Sequence, residues 1–485
     1  MTATPHDNSR PLCVDLDGTL VATDTLGESV LQAVRHHPLR MLASPWWLTR
    51  GRAYFKRRTA ELAIPDPALL PYRDELVLFL RNERDAGRRL LLTTGSDELV
   101  ARPIADHLGL FDTVIASDGH TNCTGSRKVA AISQHLNGAA FDYIGNSCTD
   151  LPVWSAAAEA LVVSPRRGVL ARLGRVKQPQ RIFEAPMNRL VDLVKAMRPE
   201  QWAKNLLLLV PMLVGHHLKT GLWQNMVKIW IAFVAFGMCA SFVYLLNDLL
   251  DIDADRRHPN KRFRPIAAGR ISLTCAIGLA GALAIGGEIV GYLLVSPEYA
   301  LMLLLYMLIS SSYSMYFKRK LVLDVICLAA LYTHRIVAGG VALHIAISEW
   351  LLAFAMFLFL SLAFVKRYGE LVLARDTRAT QAFGRNYRVG DLNILRSIGP
   401  TSGYMAVLVF CLYIQQSKDV AELYAQPRVL WAICPILLYW ITRIWFLADR
   451  HGVADDPLLF ALRDKISYFV AILIFIVVVV ATTSG

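Results

Sequence analysis

The sequence predicts two fold classes in one chain: an N-terminal α/β domain of Rossmann-like type with a small helical cap, and a C-terminal all-α polytopic membrane bundle of nine transmembrane helices. Three observations predict it. Charge is unevenly spread: 47 of the 90 charged residues lie in residues 1–200 and 43 in residues 201–485. The second stretch is therefore about 15% charged, against roughly 25% for an average soluble domain. It carries repeated apolar runs of about 17–25 residues, the length a helix rising 1.5 Å per residue needs to cross a hydrocarbon core. The first stretch instead holds short apolar strands that end in carboxylates, hydroxyls and glycines.

Composition excludes several classes. With 54% hydrophobic residues and 8 cysteines the chain is neither disordered nor disulfide-stapled. The cysteines form no CxxC pair, so reduced, buried thiols are expected and a zinc site is not. The net charge of +12 invites a nucleic-acid reading. No stacking platform or recognition module accompanies it, and no nucleic-acid partner is expected. Met1 to Arg10 is polar and lacks the apolar core of a secretory signal, so the head is expected on the cytoplasmic side.

The head is expected over 1–165. Leu12-Cys-Val-Asp15-Leu-Asp17-Gly18-Thr19-Leu20 reads as a buried strand ending in two carboxylates and a glycine turn. Arg89 to Ser96 is a second strand, ending at Thr94-Gly95-Ser96, and Asp142 to Asp150 a third, passing through Gly145-Asn146. Lys128 opens a helix shortly before the third. Polar groups at the carboxyl ends of parallel strands are where open α/β sheets bind ligands. Residues 25–70, with Trp46, Trp47, Tyr54, Phe55, Lys56, Arg57 and Arg58, read as the cap; their mix suits either a cap packed on its own core or a bilayer contact. A linker over 166–190, rich in Arg166, Arg167, Arg172, Arg175, Lys177 and Arg181, is expected to lie on anionic membrane lipids.

These stations resemble the haloacid dehalogenase superfamily of aspartate-nucleophile phosphatases over about residues 10–165. The resemblance implies that Asp15 attacks phosphorus, that Asp17 protonates the leaving alcohol and then activates water, and that Thr94 and Lys128 hold the phosphoryl oxygens. It also implies Mg²⁺ bridging Asp15, the Asp17 main-chain carbonyl and the fourth station, Asn146 and Asp150. That station usually begins with an acid; Asn146 binds Mg²⁺ more weakly, which leaves an inactive or regulatory head as an alternative.

The membrane domain is expected over 191–485, with spans near 203–218, 227–248, 272–295, 299–317, 322–343, 348–365, 398–416, 428–446 and 466–484. With a cytoplasmic head, the connections on the same side carry Arg256, Arg257, Lys261, Arg262, Arg264 and Arg270, then Lys318 to Lys320, then Lys366, Arg367, Arg375, Arg378, Arg385, Arg388 and Arg396, then Arg443, Arg450, Arg463 and Lys465. The opposite connections offer Lys219, Lys228, Lys418 and Arg428. This bias is the positive-inside pattern of a bacterial inner-membrane protein, with the C-terminus on the far side.

The second span ends in Asn247-Asp248-Leu-Leu-Asp251-Ile-Asp253-Ala-Asp255, then Pro259, Lys261, Arg264 and Pro265. Asn247/Asp248, Asp251 and Asp255 recur at i, i+4 and i+8, so their side chains share one helical face. Carboxylates crowded at a membrane boundary repel unless a cation lies between them, and hard oxygens favour Mg²⁺. The plainer alternative is an acidic helix end stabilised by its basic loop.

The run NDxxDxxxD followed by PxKxxRP resembles the first aspartate-rich motif of the UbiA superfamily of intramembrane prenyltransferases. Arg198-Pro-Glu-Gln-Trp202-Ala-Lys204-Asn205, Tyr313-Ser314 with Lys318, and Lys366-Arg367 with Glu370 are most similar to its decaprenyl-phosphate phosphoribosyltransferase branch. From Tyr313 to Arg335 the acidic residue is Asp324, so the second acidic cluster of the aromatic prenyltransferases is missing. The resemblance implies transfer of 5-phosphoribosyl from phosphoribosyl diphosphate to a polyprenyl phosphate. Asp248, Asp251 and Asp255 would hold Mg²⁺ beside Asn247, and Lys261 and Arg264 would contact the diphosphate. Arg198, Lys204 and Lys366 would cradle the lipid phosphate, and Asp324 would orient a cation. The head would remove the 5-phosphate of the product. An aromatic prenyltransferase using a prenyl diphosphate, and a transporter with a regulatory head, are the alternatives.

Overall fold

The structure is a computed structural model that describes residues 9–165, 168–184, 188–214, 222–376, 386–417, 420, 424–450 and 456–483. Of the bases named above, Arg166, Arg167, Lys219, Arg378, Arg385 and Lys418 lie outside the described residues. Two compact units emerge: Met1–Ala196 with Asp248–Leu279, and Met197–Asn247 with Ala280–Gly485.

The first unit is built on six parallel strands: β1 (Leu12–Val14), β2 (Leu90–Asp97), β3 (Thr113–Ser117), β4 (Asp142–Gly145), β5 (Ala160–Val163) and β6 (Arg181–Phe183), in the order β3-β2-β1-β4-β5-β6. Alternate residues of the central strands enter opposite cores. Leu12, Val14, Leu90, Leu92 and Ile144 pack on one face, Cys13, Leu91 and Tyr143 on the other. A sheet buried on both faces reads as the unbroken apolar runs seen in sequence. Val14 pairs with both Leu92 and Ile144. That register brings the polar residues that follow each strand to one edge.

The expected linker is part of this fold. Within 166–190, helix Val169–Leu173 buries Val169 and Leu173, and β6 completes the sheet through Phe183. The basic residues had masked an apolar alternation too short to stand out.

The boundary expected at 191 also differs. The unit includes the segment after the acidic motif, because helix Thr25–His36 presents Glu28, Gln32 and Arg35 on one face. Arg256 makes a two-pronged pair with Glu28, at 2.6 and 3.1 Å. Gln32 donates to Asp253, and Arg35 to the Leu250 carbonyl. Breaking a buried pair such as Arg256–Glu28 costs about 3–5 kcal/mol.

The second unit is helical. Seven helices among the described residues have the length and hydropathy of membrane spans: Leu222–Leu250, Leu273–Leu294, Leu323–Leu343, Glu349–Asp376, Val389–Gln416, Pro427–Asp449 and Lys465–Thr482. Two of the nine expected spans are not among them. Around 203–218 the chain forms a 3₁₀ helix, Pro199–Leu209, and a short helix, Val210–Val214, with Pro199 and Pro211; 215–221 lies outside the described residues. Proline's missing N–H breaks up a single long α-helix there. The span expected over 299–317 is a 19-residue helix, Pro297–Met315, whose end, Ser310-Ser-Ser-Tyr-Ser314, dilutes its apolar character.

Candidate functional site

In the first unit the strand edge forms a cavity of about 190 Å³. Asp15 follows β1, and its carboxylate accepts Lys128 Nζ at 2.8 Å and Thr19 Oγ1 at 3.0 Å. Lys128, 3% exposed in the first turn of helix Ser126–His135, also donates to Tyr143 at 2.9 Å. Asp17 accepts the Thr25 amide at 2.7 Å and Ser96 Oγ at 2.5 Å. Asp150 closes its own turn, taking the Asn146 and Ser147 amides and the Tyr143 hydroxyl. Asn146 is buried against Gly18, whose φ of +75° and lack of Cβ make room for the amide.

Thr94 is a correction. It is fully buried, its hydroxyl accepts the Ser96 amide, and Ser96 lines the cavity instead. β2 runs on to Asp97, which turns Thr94 into the sheet. Sequence reasoning also passed over Lys56, which spans from cap helix Arg52–Leu62 to the Gly95 carbonyl and Asn122, and Asp24 on the cavity wall.

Four carboxylates, Asp15, Asp17, Asp24 and Asp150, share this cavity with Lys56 and Lys128. Burial first, then the Asp150 and Asp17 charges, outweigh Lys128 and push Asp15 up to about 7. The cluster is short of positive charge, and with the Asn146 amide its hard oxygen donors fit Mg²⁺.

The acidic motif straddles helix Leu222–Leu250 and helix Ile252–Arg257. Asp248 and Asp255 are 3% and 4% exposed and share one guanidinium nitrogen of Arg264, at 3.2 and 2.6 Å. Arg264, expected on the diphosphate, thus bridges two carboxylates of the motif. Asp251 is half-buried and has contacts of its own; Asp253 is held by Gln32. Among the described residues no three acidic, His or Cys side chains are already drawn around one cation position. Even so, burial and the Asp248 charge raise the Asp255 carboxyl against Arg264, and Asn247 Oδ1 is buried without a partner among the described residues. Asp248, Asp251 and Asp255 bring together hard carboxylate oxygens of the kind a divalent ion such as Mg²⁺ takes. Lys261 is exposed on the turn Lys261–Phe263 and adds favourable charge to Asp255.

In the second unit Lys204 and Lys366 converge on Asp456, a residue the sequence reading missed. Asp456 is 7% exposed and accepts Lys204 Nζ at 2.6 Å and the Tyr332 hydroxyl at 2.8 Å, with Lys366 Nζ at 3.5 Å. Burial opposes ionisation of Asp456, and the two lysines outweigh it, holding the carboxyl well below its usual range. The Leu458 amide donates to Asp456, and Leu458 opens onto an apolar cavity of about 530 Å³ with Val210, Phe354, Phe410, Leu437 and Ile474. The Arg198 guanidinium lies 5.5 Å from the centre of the Tyr244 ring.

Tyr313 and Asp324 serve a third cluster. Arg367, 1% exposed, donates to Asp324 at 2.5 Å, Glu370 at 2.6 Å and Tyr313 at 3.0 Å, while Tyr387 donates to Asp324 at 2.7 Å. The cation that Asp324 pairs with is therefore Arg367, from a later helix, and not one of the bases between Tyr313 and Arg335. Lys318 sits half-buried on the adjoining turn Phe317–Arg319, with contacts of its own.

Comparison with known proteins matches residues 208–463 to the UbiA prenyltransferase family and residues 12–155 to the haloacid dehalogenase-like hydrolases. The uncharacterized protein y4nM of Sinorhizobium fredii is 35% identical over 96% of this chain and 90% of its own length. The decaprenyl-phosphate phosphoribosyltransferase of Mycolicibacterium smegmatis is 33% identical over 58% of this chain and 89% of its own. A solved UbiA homolog from Archaeoglobus fulgidus, bound to DMAPP and Mg²⁺, has 18% identity and a TM-score of 0.45 over 60% of this chain and 99% of its own. The chain belongs to the UbiA prenyltransferase family, as a multi-pass membrane enzyme with an N-terminal haloacid dehalogenase-like hydrolase domain.

Proposed function

We propose that the enzyme transfers 5-phosphoribosyl from phosphoribosyl diphosphate to a polyprenyl phosphate, and that its head then removes the 5-phosphate. The observation that carries this reading is the Lys204–Lys366–Asp456 cluster beside an apolar cavity. Two ammonium groups against one carboxylate leave a net positive charge for a lipid phosphate, and the apolar cavity suits an isoprenoid chain. The likeness to decaprenyl-phosphate phosphoribosyltransferases points the same way.

In the transfer, an oxygen of the lipid phosphate forms a bond to the anomeric carbon as that carbon's bond to diphosphate breaks. A phosphate anion needs no base, so positioning by Lys204 and Lys366 is the larger task. Asp248, Asp251, Asp255 and Asn247 would hold Mg²⁺, which when bound neutralises charge on the diphosphate. Arg264 is placed to trade a carboxylate for a phosphate oxygen. In the head, Asp15 takes the phosphoryl group, Asp17 gives its proton to the departing sugar oxygen, and water then releases phosphate. Asp15, Asn146 and Asp150 would hold the second Mg²⁺. The basic connections support a cytoplasmic head and a C-terminus on the far side.

The acids around Asp324 are already engaged: Asp324 and Glu370 both accept from Arg367, and Asp324 also accepts from Tyr387. That disfavours an aromatic prenyltransferase. The test incubates membranes containing the enzyme with ribose-labelled phosphoribosyl diphosphate and polyprenyl phosphate, and separately with a prenyl diphosphate and an aromatic acid. Label in the lipid phase of the first reaction is the expected result; product only in the second replaces this reading with the aromatic one.

A further inference from the structure

A second cavity in the first unit, about 520 Å³, adjoins the phosphatase centre and shares Asp17, Asp24 and Asn146 with it. Asp17 is the group that protonates the leaving oxygen in the proposed head reaction. Whatever remains of the substrate beyond the ester oxygen therefore extends from Asp17, and this cavity is the space there. Its far wall is Gly269–Cys275, contributed by the segment that follows the acidic motif. Gly269, at φ +68°, packs so closely on Ala22 that a Cβ would lie 2.8 Å from the alanine's own, so this wall is fitted to the head.

The lining is under-satisfied in hydrogen-bond donors. Arg73 donates to the Gly18 carbonyl at 3.2 Å, and its Nε is buried without a partner among the described residues. No carboxylate among the described residues pairs with it, and burial pulls the guanidinium below its usual range. Arg270 spends its nitrogens on Asp192, at 3.5 Å, and on the Phe263 carbonyl; its Nε is likewise buried and unpaired. Ser164, held at φ +39°, has a buried, unpartnered hydroxyl. Two incompletely met guanidinium groups and a hydroxyl call for acceptor oxygens, and those of highest charge density bind best. Asp17 and Asp24 lie at the phosphatase end of the cavity and disfavour an anion there.

We propose that this cavity is the leaving-group subsite of the head, and that it selects sugar phosphomonoesters carrying a second anionic group, read by Arg73 and Arg270. The inference rests on the head reaction above. Its lipid-linked product has this form: a 5-phosphate at one end of the ribose and a phosphodiester at the other. The Gly269–Cys275 wall then makes the phosphatase site a joint product of both family segments.

The test measures binding, so it does not depend on turnover. Full-length Asp15→Asn protein in detergent is titrated calorimetrically with ribose 1,5-bisphosphate and with ribose 5-phosphate. The bisphosphate should bind at least about tenfold tighter, one charge-assisted contact's worth. Arg73→Gln and Arg270→Gln, each added to this background, should reduce that ratio at least about threefold, with Arg73→Lys retaining more of it than Arg73→Gln. Equal affinities, or a ratio unmoved in both glutamine variants, overturn the proposal. A ratio rather than a single affinity is read because Arg73 also supports the Gly18 turn. If the ratio behaves as expected while wild type fails to dephosphorylate lipid-linked 5-phosphoribose, the subsite stands and the assigned head substrate falls.

Discussion

The two centres proposed to handle phosphate, one in each unit, balance charge in opposite ways. In the head, carboxylates outnumber cations: Asp15, Asp17, Asp24 and Asp150 face Lys56 and Lys128, and Asp15 is lifted to about 7. In the bundle, the lysines outnumber the carboxylate, and Asp456 is held low by Lys204 and Lys366. On the proposed reading the first recruits a cation and forms a bond to phosphorus, and the second receives an anion and holds it still. The acidic motif shows a third balance, with Arg264 shared between Asp248 and Asp255.

The largest effects are expected at the proposed nucleophile and in the acidic motif. Asp15→Asn should lower phosphate release from a phosphomonoester by more than about 1,000-fold, measured by free phosphate, because no neighbouring group replaces a lost nucleophile. Asp251→Asn and Asp248→Asn should each lower ribosyl transfer by about 100-fold or more in the labelled-lipid assay. Retention of transfer in both would assign the motif a structural role. Arg367→Met should cost about 3–5 kcal/mol of stability by stranding Asp324 and Glu370, read as a lowered melting temperature in detergent.

Smaller effects sharpen the contrast. Lys204→Ala and Lys366→Ala should each raise the KM for polyprenyl phosphate by about tenfold with a lesser change in kcat, and the double variant should fall short of their product because both act on one phosphate. The depressed Asp456 carboxyl stays ionised until pH falls well below the usual carboxylate range. Its bridges are therefore intact throughout neutral and mildly acidic conditions, so between about pH 5.5 and 8 that KM should follow only the second ionisation of the lipid phosphate, at about pH 6. Gln32→Ala should change stability by about 1 kcal/mol or less, as for one ordinary hydrogen bond.

The same contrast explains what was legible in the sequence. Asp15, Asp17, Lys128 and Asp150 stand at strand ends and helix starts, where short motifs and brief unbroken apolar runs fix position. Thr94 misled because β2 continues past the glycine. In the bundle, Lys204 and Lys366 stood out as bases at span ends, but their partner Asp456 lies 252 residues from Lys204. Helices apolar all round do not reveal which face meets which neighbour. That the loop folds back so that Arg264 also bridges Asp248 and Asp255 could not be seen from sequence spacing. Prolines near 203–218 and serines near 299–317 keep those stretches out of the seven described helices with span length and hydropathy, and both were visible in sequence.

The most direct test of the account is the mass of the lipid-linked product formed by full-length enzyme from phosphoribosyl diphosphate and polyprenyl phosphate. Wild type should accumulate polyprenyl-phosphoryl ribose, and Asp15→Asn the same lipid heavier by one phosphoryl group. Identical masses from the two proteins, or no ribose on the lipid in either, would contradict it.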